Sequence, residues 1–390
     1  MALDWIQDAV DAYFDEVVQF RRTIHQNPEL SFQEFKTSKF IQDSLEELSF
    51  DVVCETGLVA TISPNDLDET TLCIALRADI DALPIHENTG LAYASQNAGV
   101  MHACGHDMHA SILMGVARII HANRDKLRNK VKLIFQLGEE KLPGGASMMI
   151  DAGVLENPKV DAIFGLHVFP DLETGKIGFR PGPYMASCDE IHLIIQGKGG
   201  HAALPHKIID PIYVASQIVV QAQSIISRHA DPTVPSVLSF GHFVAEGATN
   251  VIPEKVELKG TFRTMDEGWR YRAHQLLREL VNNICFIHGA KADLSIDVGY
   301  PFLVNDEVLT ENAKAKIQNV FSDADIVHLP IRMTAEDFSY YSQKVPATFF
   351  RIGVKNPNSS DNYGLHNSKF NPDEEAIRSG MKAFLAIVFA

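Results

Sequence analysis

Leu72-Cys73-Ile74-Ala75-Leu76-Arg77-Ala78-Asp79-Ile80-Asp81 decides how the chain is read. An unbroken apolar run meets an arginine and two aspartates. A short run of this kind reads as a strand buried on both faces, and the charges at its C-terminal end mark that end as a site. The pattern recurs: Val131 to Leu137 leads into Glu139-Glu140, and Asp161 to Val168 ends near His167. Helical spacing of apolar residues covers Asp4 to Phe20, Thr37 to Leu48 and His109 to Ala122. Strands alternating with helices, each strand carrying chemistry at its C-terminal end, predict an α/β sheet with a site along that edge.

The pattern changes near Asp189. Strands are predicted at Glu190–Gln196, Val237–Phe243, Lys255–Arg263 and Ala292–Val298. A helix opens at Asp210-Pro211, with Asp as cap and Pro in the first turn, and runs to about Ser227. A long amphipathic helix covers Glu267 to His288. This β-α-β-β-α-β order is the ferredoxin-like pattern. After Pro301 the α/β character returns, with a helix near Leu309–Val320, a strand at Ala347–Ile352 and a closing helix near Asp373–Phe389. The expected organisation is one catalytic domain in two pieces, 1–186 and 302–390, with a smaller domain, 187–301, inserted.

Composition limits the partners. The 390 residues are 46% hydrophobic and 22% charged, enough to bury a sizeable core in two domains. A formal net charge of −16 leaves no basic excess to neutralise phosphates, so nucleic acid is not expected as a partner. The five cysteines, Cys54, Cys73, Cys104, Cys188 and Cys285, are scattered and odd in number, which fits a reducing, cytoplasmic setting. The N-terminal stretch is amphipathic and acidic rather than signal-like, and no stretch reaches the length of a membrane span.

The densest chemistry is His102-Ala103-Cys104-Gly105-His106-Asp107-Met108-His109. Cys104 and His106, two residues apart, can chelate one ion or one pair of ions. A metal-bound cysteine is a thiolate. Asp107 and His109 suit supporting roles, holding ring tautomers. The competing reading is a polar loop capping the next helix, with Asp107 as the cap. Glu139 and Glu140 point different ways as neighbours, so one can bind metal while the other faces substrate as general base; an isolated Glu-Glu is more often a solvated turn. His167 and His366, each taken alone, read more readily as satisfied buried histidines than as ligands. Together, Cys104, His106, Glu140, His167 and His366 form a mixed thiolate, imidazole and carboxylate set. Such a set suits Mn, Zn, Co, Ni or Fe(II), and not Mg or Ca.

The ordered motifs carry a resemblance. They are Asn27-Pro28-Glu29-Leu30-Ser31, Leu76 to Pro84, Met101 to His109, Glu139-Glu140, Phe164 to His167, Gly197 to Ala202, Thr249 to Pro253, Gly260 to Arg263, Ala335 to Phe338 and Leu365-His366. The chain resembles the aminoacylase and carboxypeptidase superfamily of di-metal hydrolases. Within it, the chain is most similar to the amidohydrolase branch of hippurate hydrolases, N-acetyldiaminopimelate deacetylases and auxin-conjugate hydrolases. The resemblance implies a catalytic α/β/α domain on a central mixed sheet and two divalent metals, Mn, Zn, Ni or Co. It implies that Cys104, His106, Glu140, His167 and His366 hold them, with Cys104 bridging, and that Glu139 is the general base. Where the wider superfamily has H-x-D, this chain reads Asp79-Ile80-Asp81, so Asp79 and Asp81 are expected beside the ligands rather than as ligands. The inserted domain is implied to be a lid and a homodimer contact. His201 would bind the oxyanion, and Asn250 and Arg263 the substrate, with Arg263 meeting its carboxylate.

Two stretches depart from the branch. Gln136 to Ala146 puts Lys141 where a glycine is usual and lengthens the loop, and Pro205 to Pro211 is more apolar than expected. The expected activity is hydrolysis of the amide bond of N-acyl amino acids or related small compounds. The alternatives are a di-metal dipeptidase or carboxypeptidase and, against the retention of every ligand and Glu139, an idle metal-binding scaffold.

Overall fold

Residues 3–66, 71–359 and 362–390 are described by a computed structural model. The first helix, α1 (Asp4–Gln26), buries Ile6, Val10, Phe14, Val17 and Ile24, the apolar stripe of its sequence. It stops just before Pro28, whose ring disfavours helix in the preceding residue. The chain continues through α2 (Phe35–Ser44), β1 (Asp51–Val53), β2 (Gly57–Ile62), β3 (Cys73–Asp79), α3 (His106–Ala122), β4 (Lys130–Gln136), α4 (Gly145–Asp151), β5 (Ala162–Glu173) and β6 (Ile177–Phe179). Next come β7 (Asp189–Gln196), α5 (Pro211–Ser224), β8 (Ser236–Val244), β9 (Lys255–Thr264), α6 (Glu267–His288) and β10 (Lys291–Val298). The last elements are α7 (Glu307–Ile317), β11 (Ile326–His328), α8 (Ser339–Ser342), β12 (Ala347–Lys355) and α9 (Ala376–Phe389).

These elements form two units: Met1–Gly182 with Val304–Ile331 and Asp337–Ala390, and Pro183–Leu303 with Arg332–Glu336. The first unit holds an eight-stranded mixed sheet in the order β1-β2-β4-β3-β5-β12-β6-β11. Its centre is parallel, β3 running with β4 and β5, and β12 with β5. Strands β2 and β6 run against their neighbours β4 and β12. Every residue of β3 is buried, which requires cover on both faces. Helices α1, α3 and α9 pack on one another, with α3 and α9 also on strands; α4 and α8 pack together and against β4 and β12. The main core joins α1, α3 and α9 to the sheet.

In the second unit the sheet order is β8-β9-β7-β10, antiparallel throughout. That order, with α5 and α6 as the two helices, is the ferredoxin-like βαββαβ arrangement. Strand β7 alternates, burying Ile191, Leu193 and Ile195 against Val214 and Ile218 of α5 and Leu277 and Val281 of α6. Asp210 caps α5, accepting from the amides of Ile212 and Tyr213, a contact worth about 1 kcal/mol. No helix among the described residues is long and apolar enough to cross a membrane.

Several boundaries shift from the sequence reading, α1 running on to Gln26 and α2 covering Phe35–Ser44 among them, and two of the shifts bear on the site. Helix α3 starts at His106, not His109, because Gly105 caps it in the left-handed region at φ 86°. A side chain at Gly105 would run into Val168. Asp107 is therefore the second residue of the helix and not its cap. Strand β5 runs past Val168 to Glu173 because β12 pairs with it along its length, so His167 lies within the strand.

Candidate metal centre

The parallel strands carry their polar residues to one edge of the first unit. β3 delivers Asp79 and Asp81, β4 delivers Gly138-Glu139-Glu140, β5 carries His167, and the loop before α3 carries Cys104 and His106. Two donor groups result, Cys104, His106 and His167, and Cys104, Glu140 and His366, each with its ligand atoms within 4.8 Å of one another. Cys104 belongs to both. Glu139 stands with His106 and Glu140 in a third group of the same size.

Hydrogen bonds fix which ring nitrogens face the centre. The His106 Nδ1 lies 3.0 Å from Asp81 Oδ1 and donates to it, and its Nε2 has no hydrogen-bond partner. His167 donates from Nδ1 to the carbonyl of Val168 at 2.7 Å and turns Nε2 to within 3.4 Å of Cys104 Sγ. Both rings therefore turn Nε2 to the centre, the atom whose lone pair each would offer a metal as a neutral imidazole. The Glu140 carboxylate has Oε1 buried without a well-directed hydrogen bond, with His366 Nε2 3.3 Å away. His366 takes a positive φ of 61° and is tied by its amide to the carbonyl of Ala103 at 2.8 Å, which brings its ring to the loop that holds Cys104.

The electrostatics favour a cation. Burial pushes the Cys104 thiol well above its ordinary range, and Glu140, Glu139 and Asp79 push it further. Burial opposes charge on His106, yet Asp79, Asp81 and Glu140 more than offset it and raise the ring to about 10. His167 is held well below its ordinary value by burial, then by Arg351 and His109, and stays neutral. Orphaned buried donor atoms, a neutral imidazole and a thiol beside carboxylates fit bound divalent metal.

The supporting residues sort themselves by their bonds. Asp79 is buried and engaged on both oxygens, with Arg77 Nη1 at 2.6 Å and His109 Nδ1 at 2.6 Å. His109 Nε2 accepts from the amide of Val168 at 2.9 Å, so both its nitrogens are spent. Though Asp79, His106 and His109 lie close enough to form a donor group of their own, these bonds leave Asp79 and His109 supporting β5 at His167. Asp81 holds His106 and, through Oδ2, the amide of Glu140 at 3.0 Å and the hydroxyl of Ser31 at 2.6 Å. Asp107 holds no ligand ring. It accepts from Arg21 Nε at 3.0 Å and His25 Nδ1 at 2.9 Å and ties α3 to α1. One helical step beyond His106 points its side chain away from the site. His102 is buried in the same loop but outside both donor groups.

Four supporting residues had no role in the sequence reading. Arg77 Nε donates to Gln136 Oε1 at 2.9 Å and its Nη2 to Asp337 Oδ1 at 2.8 Å. Asp337 also accepts from Gln136 Nε2 and from the amide of Ala146 at 2.9 Å, and its own amide points at Glu139 Oε1, 3.4 Å away. Glu34, wholly buried, accepts from the amide of Gly138 at 2.8 Å. An arginine ending an apolar strand was a visible signal for Arg77. Glu34 gave none.

In the second unit, His201 and Asn250 are neighbours. The ribbon Gly200–His201 with Val251–Ile252 pairs His201 with Val251, and the Ala202 amide donates to the Asn250 carbonyl at 3.0 Å. Both side chains are exposed. Arg263, half-buried on β9, donates to the carbonyl of Met333 at 3.2 Å.

Residues 75–390 match the model of peptidase family M20/M25/M40. The chain belongs to that family. It is 38% identical over 382 residues to thermostable carboxypeptidase 1 of Saccharolobus solfataricus, covering 96% of each chain. It is 42% identical over 308 residues to an N-acyl-L-amino acid amidohydrolase of Geobacillus stearothermophilus, covering 78% of this chain and 82% of that one. A solved structure described as a dinuclear metal-binding peptidase of the M20 family, from Bacillus subtilis, superposes with a TM-score of 0.82 at 35% identity, over 97% of this chain and 98% of that one. A two-group donor set with one shared, buried cysteine is thus found on a family M20 chain.

Proposed function

We propose that this family M20 chain is a metal-dependent amidohydrolase that cleaves the amide bond of N-acyl amino acids or related small N-acylated compounds. The observation that carries the reading is Cys104, shared by two donor groups, one buried and one that opens to solvent at His366, with Glu139 beside them. In this reading Cys104, His106 and His167 hold one divalent cation, and Cys104, Glu140 and His366 the other. Mn, Zn, Co or Ni suits the donors. Bound there, the cations would polarise the amide carbonyl and make water a better acid. Glu139 removes the proton from the water that attacks the carbonyl carbon. It then delivers that proton to the amide nitrogen as the C–N bond breaks. The Asp337 amide, 3.4 Å from Glu139 Oε1, helps hold that carboxylate. His201 is assigned to the developing oxyanion, and Asn250 and Arg263 to the substrate, Arg263 to its carboxylate.

The relative named as an amidohydrolase supports N-acyl amino acids as the substrate class. A carboxypeptidase is the second reading, favoured by the name of the Saccharolobus relative. We place the protein in the cytoplasm, in keeping with its five free cysteines. We assign the second unit to pairing of two copies. Helix α5 carries no charged residue in a chain of net charge −16, and it exposes Tyr213 and Val220.

The test is release of free amino acid from N-acetyl, N-benzoyl and longer N-acyl amino acids, beside unblocked dipeptides, after chelator stripping and reloading with each metal. Metal-dependent cleavage of the blocked compounds is expected. Cleavage of dipeptides alone would move the protein to the peptidase reading.

A further inference from the structure

We propose that Glu34 is a positioning residue for the general base: its buried carboxylate fixes the backbone at Gly138 and thereby sets where Glu139 points. The inference rests on Glu139 being the base, as proposed above.

Glu34 stands just before α2 but makes no cap bond; the Lys36 and Thr37 amides go to Glu29. Glu34 turns inward instead. Oε1 accepts from the amides of Gly138 at 2.8 Å and Phe32 at 2.9 Å, and Oε2 accepts from the Thr56 hydroxyl at 2.7 Å. Burying a carboxylate is costly unless every oxygen is satisfied, and here each one is. The peptide that joins Gly138 to Glu139 is also held, the Gly138 carbonyl accepting from the Gly145 amide at 2.8 Å. On the far side of Glu139, the amide of Glu140 is held by Asp81 at 3.0 Å. Two buried carboxylates from distant parts of the chain thus clamp the amides on either side of the base. Gly138 itself takes a φ of 55°, and the ring of Phe32 fills the space a side chain would need. A displacement near 1 Å at a catalytic group costs about 100-fold in rate, so the anchor acts through geometry.

The variants are Glu34→Ala, Glu34→Gln and Glu34→Asp, with Glu139→Gln as control, all metal-loaded. In Glu34→Gln the amide oxygen keeps both backbone donors and the Thr56 hydroxyl rotates to accept from the new NH2, so kcat stays within about threefold of wild type. In Glu34→Ala kcat falls about 100-fold while metal content and KM hold within about twofold. Glu34→Asp, one methylene short, follows Ala, and it decides the matter if Ala does not fold. Hydrogen exchange at Gly138–Glu140 gives a substrate-free readout, faster in the Ala and Asp variants and unchanged in Gln. A purely structural Glu34 would lower thermal stability and leave kcat per folded molecule and local exchange unchanged, which overturns the inference. If Glu139→Gln turned over like wild type, the base assignment itself would fail. If Glu139→Gln were inactive while the Ala and Asp variants ran at the wild-type rate, only the positioning role would.

Discussion

Replacing Asp81 by Asn changes one oxygen to NH2 and leaves volume unchanged. Asp81 Oδ1 accepts from His106 Nδ1 at 3.0 Å; Oδ2 accepts from Ser31 Oγ at 2.6 Å and from the Glu140 amide at 3.0 Å. All three partners are donors, so an acceptor-only group fits and an amide does not. If the new NH2 faces His106, that ring must accept at Nδ1 and carry its proton on Nε2, the atom turned to the metal. If it faces the other way, it meets the Glu140 amide, donor against donor, and displaces a second proposed ligand. Loss of one such supporting contact costs about 10- to 100-fold in metal affinity, or about 1.4–2.8 kcal/mol. Because Asp81 touches two proposed ligands, the upper end is expected. Chelator competition with Mn or Zn at fixed pH, on wild type and Asp81→Asn, measures it. Equal affinity in the two proteins would refute the claim that Asp81 sets the His106 tautomer.

Other consequences are open to measurement. Gly138→Ala puts a methyl group against the Phe32 ring at a left-handed φ; thermal unfolding should show a loss of about 1–3 kcal/mol, with turnover falling further than stability explains. Cys104→Ser removes the ligand shared by both donor groups, and metal analysis should show both ions lost together rather than one. In the second unit, Asp189 accepts from Arg270 Nε at 3.0 Å and His274 Nε2 at 2.7 Å. Burial pushes the Asp189 carboxyl up, but His274 and Arg270 more than offset it and hold it below its ordinary value. Its stabilisation is therefore full above the ordinary carboxylate range and is lost as pH falls through the depressed value. Asp189→Asn should be less stable than wild type by about 3 kcal/mol at neutral pH, and the gap in denaturant unfolding should begin to narrow only below about pH 4 and close as pH falls through the depressed value.

Much of this was legible in the sequence, for identifiable reasons. The Cys73–Asp79 strand announced itself because a strand buried on both faces must be apolar until it reaches the site. The ferredoxin-like unit was legible from alternation, and α6 was read to the residue because an Asp cap and Gly289 bracket it. The start of α3 was misread because a glycine cap at positive φ leaves no polar signature. The extent of β5 was missed because pairing with β12, almost two hundred residues away in sequence, is a long-range fact. In the site, residue types named the proposed ligands, but not their supports. Asp81 and Asp107 look alike in sequence, yet one grips His106 and the other grips His25 and Arg21. Glu34 stands alone between Phe32 and Phe35 with no partner nearby in sequence, and only the fold brings it to Gly138.

The most direct test of the account is turnover of an N-acyl amino acid by Glu139→Gln, with metal content determined on the same sample. The account predicts wild-type metal content and a loss of about 10²- to 10⁴-fold in kcat. Metal bound at wild-type level with near-normal turnover would contradict it, and Glu139 would not be the base.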